Sequence, residues 1–136
     1  MRVDGRAVGR IGPGWVVLLG VGRDDTAPVA RALAEKLVNL RAFADDAGKM
    51  NRSALEVAAE VLVVSQFTLY ADLRRGRRPY FGGAAAPERA RALVDVFSAA
   101  VASYGLRVAC GEFGAMMQVE LVNDGPVTLW VDTDER

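Results

Sequence analysis

Two short segments carry side chains whose types and spacing suit chemistry. Ser65-Gln66-Phe67-Thr68-Leu69 places two hydroxyls and an amide directly after the apolar run Val61–Val64, where a strand leaves a core. Polar groups on such a rigid edge suit a binding or reaction site; they equally mark the ordinary exit of a strand into solvent. Asn123-Asp124-Gly125-Pro126-Val127-Thr128 is the second segment. By local chemistry it is a turn, because Asn and Asp bond their own backbone, Gly takes positive φ and Pro fixes the next residue. A cis Gly-Pro bond is the minority outcome at such a turn. A third group, Arg74-Arg75-Gly76-Arg77-Arg78 followed by Pro79-Tyr80-Phe81, reads either as a solvated basic loop or as phosphate contacts with ring stacking. Gly48-Lys49-Met50-Asn51 is too short for a phosphate loop and lacks the following hydroxyl. Cys110 reads as a small buried hydrophobe in a strand.

The chain contains no histidine and one cysteine. That excludes Ser-His and Cys-His catalytic pairs, the zinc-protease helix motif, His-ligated metals and thiolate zinc sites. Any chemistry must run on carboxylates, hydroxyls, Arg and Lys, or the backbone. No metal-ligand cluster is visible, and neither a metal nor a cofactor is expected. The 17 basic and 17 acidic residues cancel, so no global attraction to nucleic acid follows, only a local one at the arginine loop. At 136 residues, 51% apolar and 25% charged, residues 1–136 are expected to form a single globular domain. No apolar run approaches the roughly 18 residues of a membrane helix. With no secretory signal and a lone cysteine, the expected location is the cytoplasm.

The elements that must position these groups follow from periodicity. Asp4-Gly5 predicts a hairpin turn before a strand from Arg6 to Ile11. After the Gly12-Pro13-Gly14 turn, Trp15–Val21 is a fully apolar strand. Thr26 is placed to cap a helix with Pro28 in its first turn, and Val29, Leu33, Leu37 and Leu40 give that helix one apolar stripe. Asp45 to Asn51 is a polar loop, Glu60 to Leu69 a second apolar strand, and Tyr70 to Ala86 a long loop of the kind that is functional or disordered. Pro87 opens a second helix that buries Leu93, Val94, Phe97, Ala100 and Val101, and Gly105 sits where a C-terminal cap belongs. Leu106–Cys110, Met116–Val122 and Val127–Asp132 predict three more strands. The expected fold class is α+β, a mostly antiparallel sheet or partly closed barrel of about six strands with two helices packed on one face.

Taken in order, SQFTLYAD, GRRPYF, a Pro-initiated helix and GEFGAMMQVELVNDGPVT resemble the D-aminoacyl-tRNA deacylases. GKMN and the early D-G-x-x-V-G-x-I-G-x-G-x-x-V-L-L-G-V run match as well, so the likeness covers Val3 to Val131. SQFTL followed by NDGPVT is specific as a pair, although neither half is so alone.

The resemblance implies a homodimer that hydrolyses the ester joining a D-amino acid, or a misplaced glycine, to the terminal adenosine of tRNA. It implies that Ser65, Gln66, Phe67 and Thr68 line the pocket for ribose and aminoacyl group, with Phe113 and Met117 enclosing the substrate. It implies that Gly125-Pro126 is cis and reaches into the partner subunit's site, where it excludes L side chains by clash. Beside it stands a physical reading. Without histidine, the backbone N–H groups of Phe67 and Thr68 are the available oxyanion donors, with Gln66 beside them, and the tRNA's own ribose hydroxyl is the candidate for activating water. Thr68 as a covalent nucleophile is the rival, lacking a neighbouring base.

The resemblance also implies a further strand ahead of Met1 with a Gln-Arg pair that steadies the partner's Gly-Pro; no residue here matches that pair. The expectation is an exposed strand edge, and an upstream-extended version that is more stable and more active. Two other classes fit the same residues: a non-catalytic module binding the tRNA 3′ end, and an α+β interaction domain.

Overall fold

The computed structural model describes residues 1–134. A short antiparallel hairpin, β1 (Arg2–Val3) and β2 (Arg6–Ala7), turns at Asp4-Gly5 as expected, but the strand foreseen to Ile11 stops at Ala7. β3 (Gly14–Leu19) is the first long strand. α1 (Ala27–Asn39) starts after Thr26, whose backbone is extended but whose side chain makes no cap bond; Pro28 lies in the first turn. β4 (Phe43–Ala44) and β5 (Met50–Arg52) form a hairpin from the expected polar loop. The Asp45 carboxylate braces it by accepting from the Lys49 amide, which does most to lower its pKa, and from the Ala47 amide. The single turn α2 (Ala54–Val57) was not foreseen; Ser53 and Glu56 bond each other's backbone N–H in a capping box. β6 (Glu60–Ser65) follows, then a 3-10 helix over Phe67–Tyr70 where a continuing strand was expected. α3 (Pro87–Ser103) begins at its proline, and Gly105 closes it at φ +87, a conformation that suits glycine. β7 is Val108–Cys110.

β3, β6 and β7 form one sheet in the order β3-β6-β7, with Trp15 opposite Val61, Leu19 opposite Ser65 and Val63 opposite Cys110. Both pairings are parallel. The expected mostly antiparallel sheet is therefore corrected: antiparallel pairing is confined to the two small hairpins and isolated bridges, and no sheet among the described residues closes. The reason lies in the connections. A helix separates each neighbouring pair of long strands and returns the chain to the same end, which is the crossover that parallel strands require. The unbroken apolar runs of β3 and β6 are also what a sheet covered on both faces carries.

The expected pair of helices on one face is present. Val61 and Val63 of β6 face the cluster formed with Ala34 and Val38 of α1 and Leu93, Val94, Phe97 and Val101 of α3. Phe97 and Val101 are each 1% exposed, and burying a side chain of this size contributes about 1.5–3 kcal/mol. In α1 the deepest residues are Ala34 and Val38, with Leu33 and Leu37 flanking them. The opposite sheet face packs Leu62 and Val64 against Met1, Val8, Ile11, Met117 and Val119.

Met116–Val122 and Val127–Asp132 form no ladder among the described residues beyond an antiparallel bridge joining Arg2 to Gln118. A strand exists only by pairing, and these segments meet no long edge within the chain. No helix of the described residues is long and apolar enough to cross a membrane.

Candidate active site

The carboxyl ends of β6 and β7, with the first half of α3, surround a cavity of about 340 Å³. That is where open sheets with parallel strands place ligands, because the loops leaving the strands diverge there. The structure brings three of the expected residues together in its wall: Ser65 from the end of β6, and Phe113 and Met117 from the segment after β7. Val63 and Val94 complete the apolar part. Gly111 permits this wall, since a Cβ there would stand 2.8 Å from the Met117 sulfur.

Four lining residues were not foreseen in a site: Arg91, Asp95, Cys110 and Glu112. Arg91 and Asp95 stand four apart on α3, a spacing that puts both on one face of the helix, but charged residues at that spacing also describe any solvated face. The Arg91 guanidinium lies 5.3 Å from the centre of the Phe113 ring, within cation–π range. Cys110 is exposed, which corrects the buried-hydrophobe reading: it is the last residue of β7, beneath the cavity mouth, with Sγ 3.6 Å from Ser98 Oγ.

Gln66, Phe67 and Thr68 do not line the cavity; they follow Ser65 directly and form the start of the 3-10 helix. The Gln66 amide donates to Leu19 O at 2.8 Å, tying the segment to the end of β3. Gln66 Nε2 donates to Thr68 Oγ1 at 2.5 Å. Leu69 N–H reaches back to Gln66 O at 3.2 Å, whereas the Phe67 and Thr68 N–H groups find no acceptor among the described residues. First-turn amides of a helix have no partner within it, so these two remain unpaired donors that follow directly on Ser65 of the cavity wall. The Phe67 ring is 55% exposed and stands edge-on to Phe81 at 5.0 Å between centroids.

Tyr70 closes the 3-10 helix. Its hydroxyl is pushed up to about 12, first by burial and then by the carboxylates of Asp25, Asp132 and Asp134. It is a neutral phenol in the neutral pH range. Among the described residues no group of three or more His, Cys, Asp or Glu is placed to hold a metal ion.

Gly125-Pro126 is a cis peptide in a turn, and Gly125 has φ +136, a conformation open to glycine and strained for other residues. Asn123 braces the turn from both sides: its Oδ1 accepts from the Val127 amide at 3.1 Å and its Nδ2 donates to Thr128 Oγ1 at 3.0 Å. This turn is exposed and does not line the cavity of its own chain. Exposed apolar side chains surround it in sequence: Met116 and Val122 are each 92% exposed, and Leu121, Leu129 and Trp130 are also exposed.

A family model described as D-Tyr-tRNA(Tyr) deacylase matches residues 1–132. The D-aminoacyl-tRNA deacylase of Roseiflexus castenholzii is 60% identical over 131 residues, which is 96% of this chain and 83% of that protein. The D-aminoacyl-tRNA deacylase of Deinococcus radiodurans is 56% identical over 130 residues, 96% of this chain and 90% of its own length. Among solved structures, a c-Myc DNA unwinding element binding protein superposes with a TM-score of 0.86 at 37% identity, covering 94% of this chain and 87% of that one.

Proposed function

The chain belongs to the D-Tyr-tRNA(Tyr) deacylase family, and from that premise we propose that it hydrolyses the ester of D-aminoacyl-tRNA, and of glycyl-tRNA, as a homodimer. Water adds to the ester carbonyl, the tetrahedral oxyanion collapses, and the bond to the ribose oxygen breaks. That oxygen takes up a proton, leaving free D-amino acid and tRNA. The observation that carries the reading is the pair of unused amides of Phe67 and Thr68 in the segment that directly follows Ser65, which lines a cavity of about 340 Å³. Two adjacent donors suit a developing oxyanion, and losing one such donor typically costs about a hundred- to a thousandfold in rate. Ser65, Phe113 and Met117 enclose the aminoacyl group, and Gln66 steadies the Thr68 side chain. The ribose hydroxyl next to the ester activates the water. Tyr70 does not serve as the base, because its phenol keeps its proton.

Gly125-Pro126 acts on the partner's substrate. It does not line its own chain's cavity and is exposed, which suits a motif that reaches an aminoacyl group across an interface. The exposed Met116, Leu121, Val122, Leu129 and Trp130 supply an apolar surface for that interface in the segment that carries the turn. Rejection is by clash: the braced turn stands where an L side chain would project, a D side chain points away, and glycine has nothing to collide.

The experiment is deacylation of D-tyrosyl-tRNA, L-tyrosyl-tRNA and glycyl-tRNA by the purified protein. Release from the D-ester and the glycyl ester but not the L-ester is expected. Binding without release would favour a non-catalytic module for the tRNA 3′ end, and neither binding nor release would sink the proposal.

A further inference from the structure

The arginine-rich loop has a defined shape. Asp72 and Tyr80 exchange both backbone hydrogen bonds, at 2.7 and 3.1 Å, which closes residues 72–80 into a loop, and Gly76 turns its tip at φ +65. Arg74 is held inside this frame: its guanidinium donates to both Asp72 oxygens, at 2.9 and 2.7 Å. Arg75, Arg77 and Arg78 are exposed and have no carboxylate within ion-pair distance among the described residues. One arginine therefore fixes the loop while three stand as unpaired, permanently charged forks on a protein of zero net charge.

This loop adjoins the active site. A cleft of about 550 Å³ runs along it, lined by Arg23, Leu69, Tyr70, Asp72, Arg74 and Tyr80. Leu69 and Tyr70 are the second half of the 3-10 helix that begins with Phe67 and Thr68. At about 2 Å rise per residue, the two ends of that helix are separated by only roughly 6 Å. The Phe67–Phe81 ring contact ties the foot of the loop to the same helix. Tyr80 lines the cleft with its ring against Gly82 and is 69% exposed.

We propose that the Asp72–Tyr80 loop is the surface that holds the sugar–phosphate backbone of the substrate RNA leading up to its esterified terminal nucleotide. The inference rests on the deacylase reading and adds a binding site outside the cavity. Guanidinium forks pair bidentately with phosphate oxygens, and an exposed ring offers every base a stacking face, so the surface is suited to RNA of any sequence. The positive field is local, which selects the strand adjoining the reactive end over distant parts of a large polyanion.

The test compares the wild type with the triple variant Arg75→Gln/Arg77→Gln/Arg78→Gln, which leaves Asp72, Arg74 and Tyr80 intact, on D-tyrosyl-tRNA and on D-tyrosyl-adenosine. For D-tyrosyl-tRNA the variant's KM is expected to rise on the order of tenfold at low salt, and the slope of log KM against log salt to flatten by about 2, the value for three phosphate contacts on a single strand. Its kcat, and its turnover of D-tyrosyl-adenosine, which lacks the preceding backbone, should equal the wild type's. Equal KM and salt slope for the two proteins on the tRNA ester would overturn the proposal, as would an equal loss on D-tyrosyl-adenosine. If neither protein cleaves either ester, the deacylase reading fails, and binding of uncharged tRNA decides the surface by itself. Weaker binding by the variant upholds a phosphate contact; equal binding, or a loss seen only with poly-glutamate, refutes it.

Discussion

Gln66 Nε2 donates a 2.5 Å hydrogen bond to Thr68 Oγ1, so the only hydroxyl of the 3-10 helix's first turn is held by an amide and not by a base. A nucleophilic threonine needs a group that takes its proton, and an amide N–H cannot. Thr68→Ala should therefore cost no more than about tenfold in kcat, the worth of one ordinary hydrogen bond, since the backbone N–H remains. Single-turnover deacylation of D-tyrosyl-tRNA measures this. A near-complete loss would restore the covalent route.

Asp95 and Glu112 are the carboxylates in the cavity wall and the obvious rivals to the ribose hydroxyl for activating water. If the substrate supplies the base, the double variant Asp95→Asn/Glu112→Gln keeps kcat within a few-fold of the wild type. General-base assistance is typically worth about a hundred- to ten-thousandfold, so a drop of that size would move the role to one of these side chains.

At Gly125 an added Cβ would stand 2.9 Å from Val127 Cγ2, on a backbone already at φ +136. Gly125→Ala is expected to abolish deacylation while circular dichroism shows the fold unchanged; a fully active variant would remove the role. Asn123→Ala is milder. It deletes both braces of the turn, and with each hydrogen bond worth about 1 kcal/mol it should narrow the ratio of D- to L-ester cleavage by roughly tenfold or more.

Tyr70 gives a pH signature. Its folded pKa of about 12 lies above the ordinary phenol value of 10.0, first through burial and then through Asp25, Asp132 and Asp134. The unfolded chain therefore gives up this proton first. The stability contributed is complete below pH 10 and is lost as pH rises toward about 12. Urea melts across that window should fall more steeply for the wild type than for Tyr70→Phe, while their deacylation rates run parallel through neutral pH. Parallel melts would show that the phenol is not perturbed.

Phe97 of α3 is 1% exposed between the two long helices and β6. Phe97→Ala should lower unfolding free energy by about 3–5 kcal/mol, seen as a lower urea midpoint at unchanged m-value. A loss below about 1 kcal/mol would mean that the site collapses around the smaller residue.

Local order was largely legible in the chain itself. Pro87 and Gly105 bracket α3, Asp4-Gly5 turns the first hairpin, and the runs at Trp15–Leu19 and Val61–Val64 are strands, because propensity and capping act over a few residues. The Ser53–Glu56 capping box that starts α2 is an equally local signal. Strand direction was not legible. It depends on where α1 and α3 return the chain, and apolar runs alone do not separate a buried parallel strand from an antiparallel one. Ser65 ends β6, and the 3-10 helix replaces strand there, because β3 and β7 offer no further edge beyond Leu19 and Cys110.

What the sequence by itself determined was the identity of the two chemical segments, Ser65–Leu69 and Asn123–Thr128, and, through the absence of histidine, that any chemistry runs on carboxylates, hydroxyls, Arg and Lys, or the backbone. Only the tertiary structure decided which side chains meet. It set Arg91, Asp95, Cys110 and Glu112 beside Ser65, Phe113 and Met117, and left Gly125-Pro126 outside that cavity. The physical reason is range. Turn and cap preferences are written within a few residues, whereas a cavity is made where strands far apart in the chain end side by side.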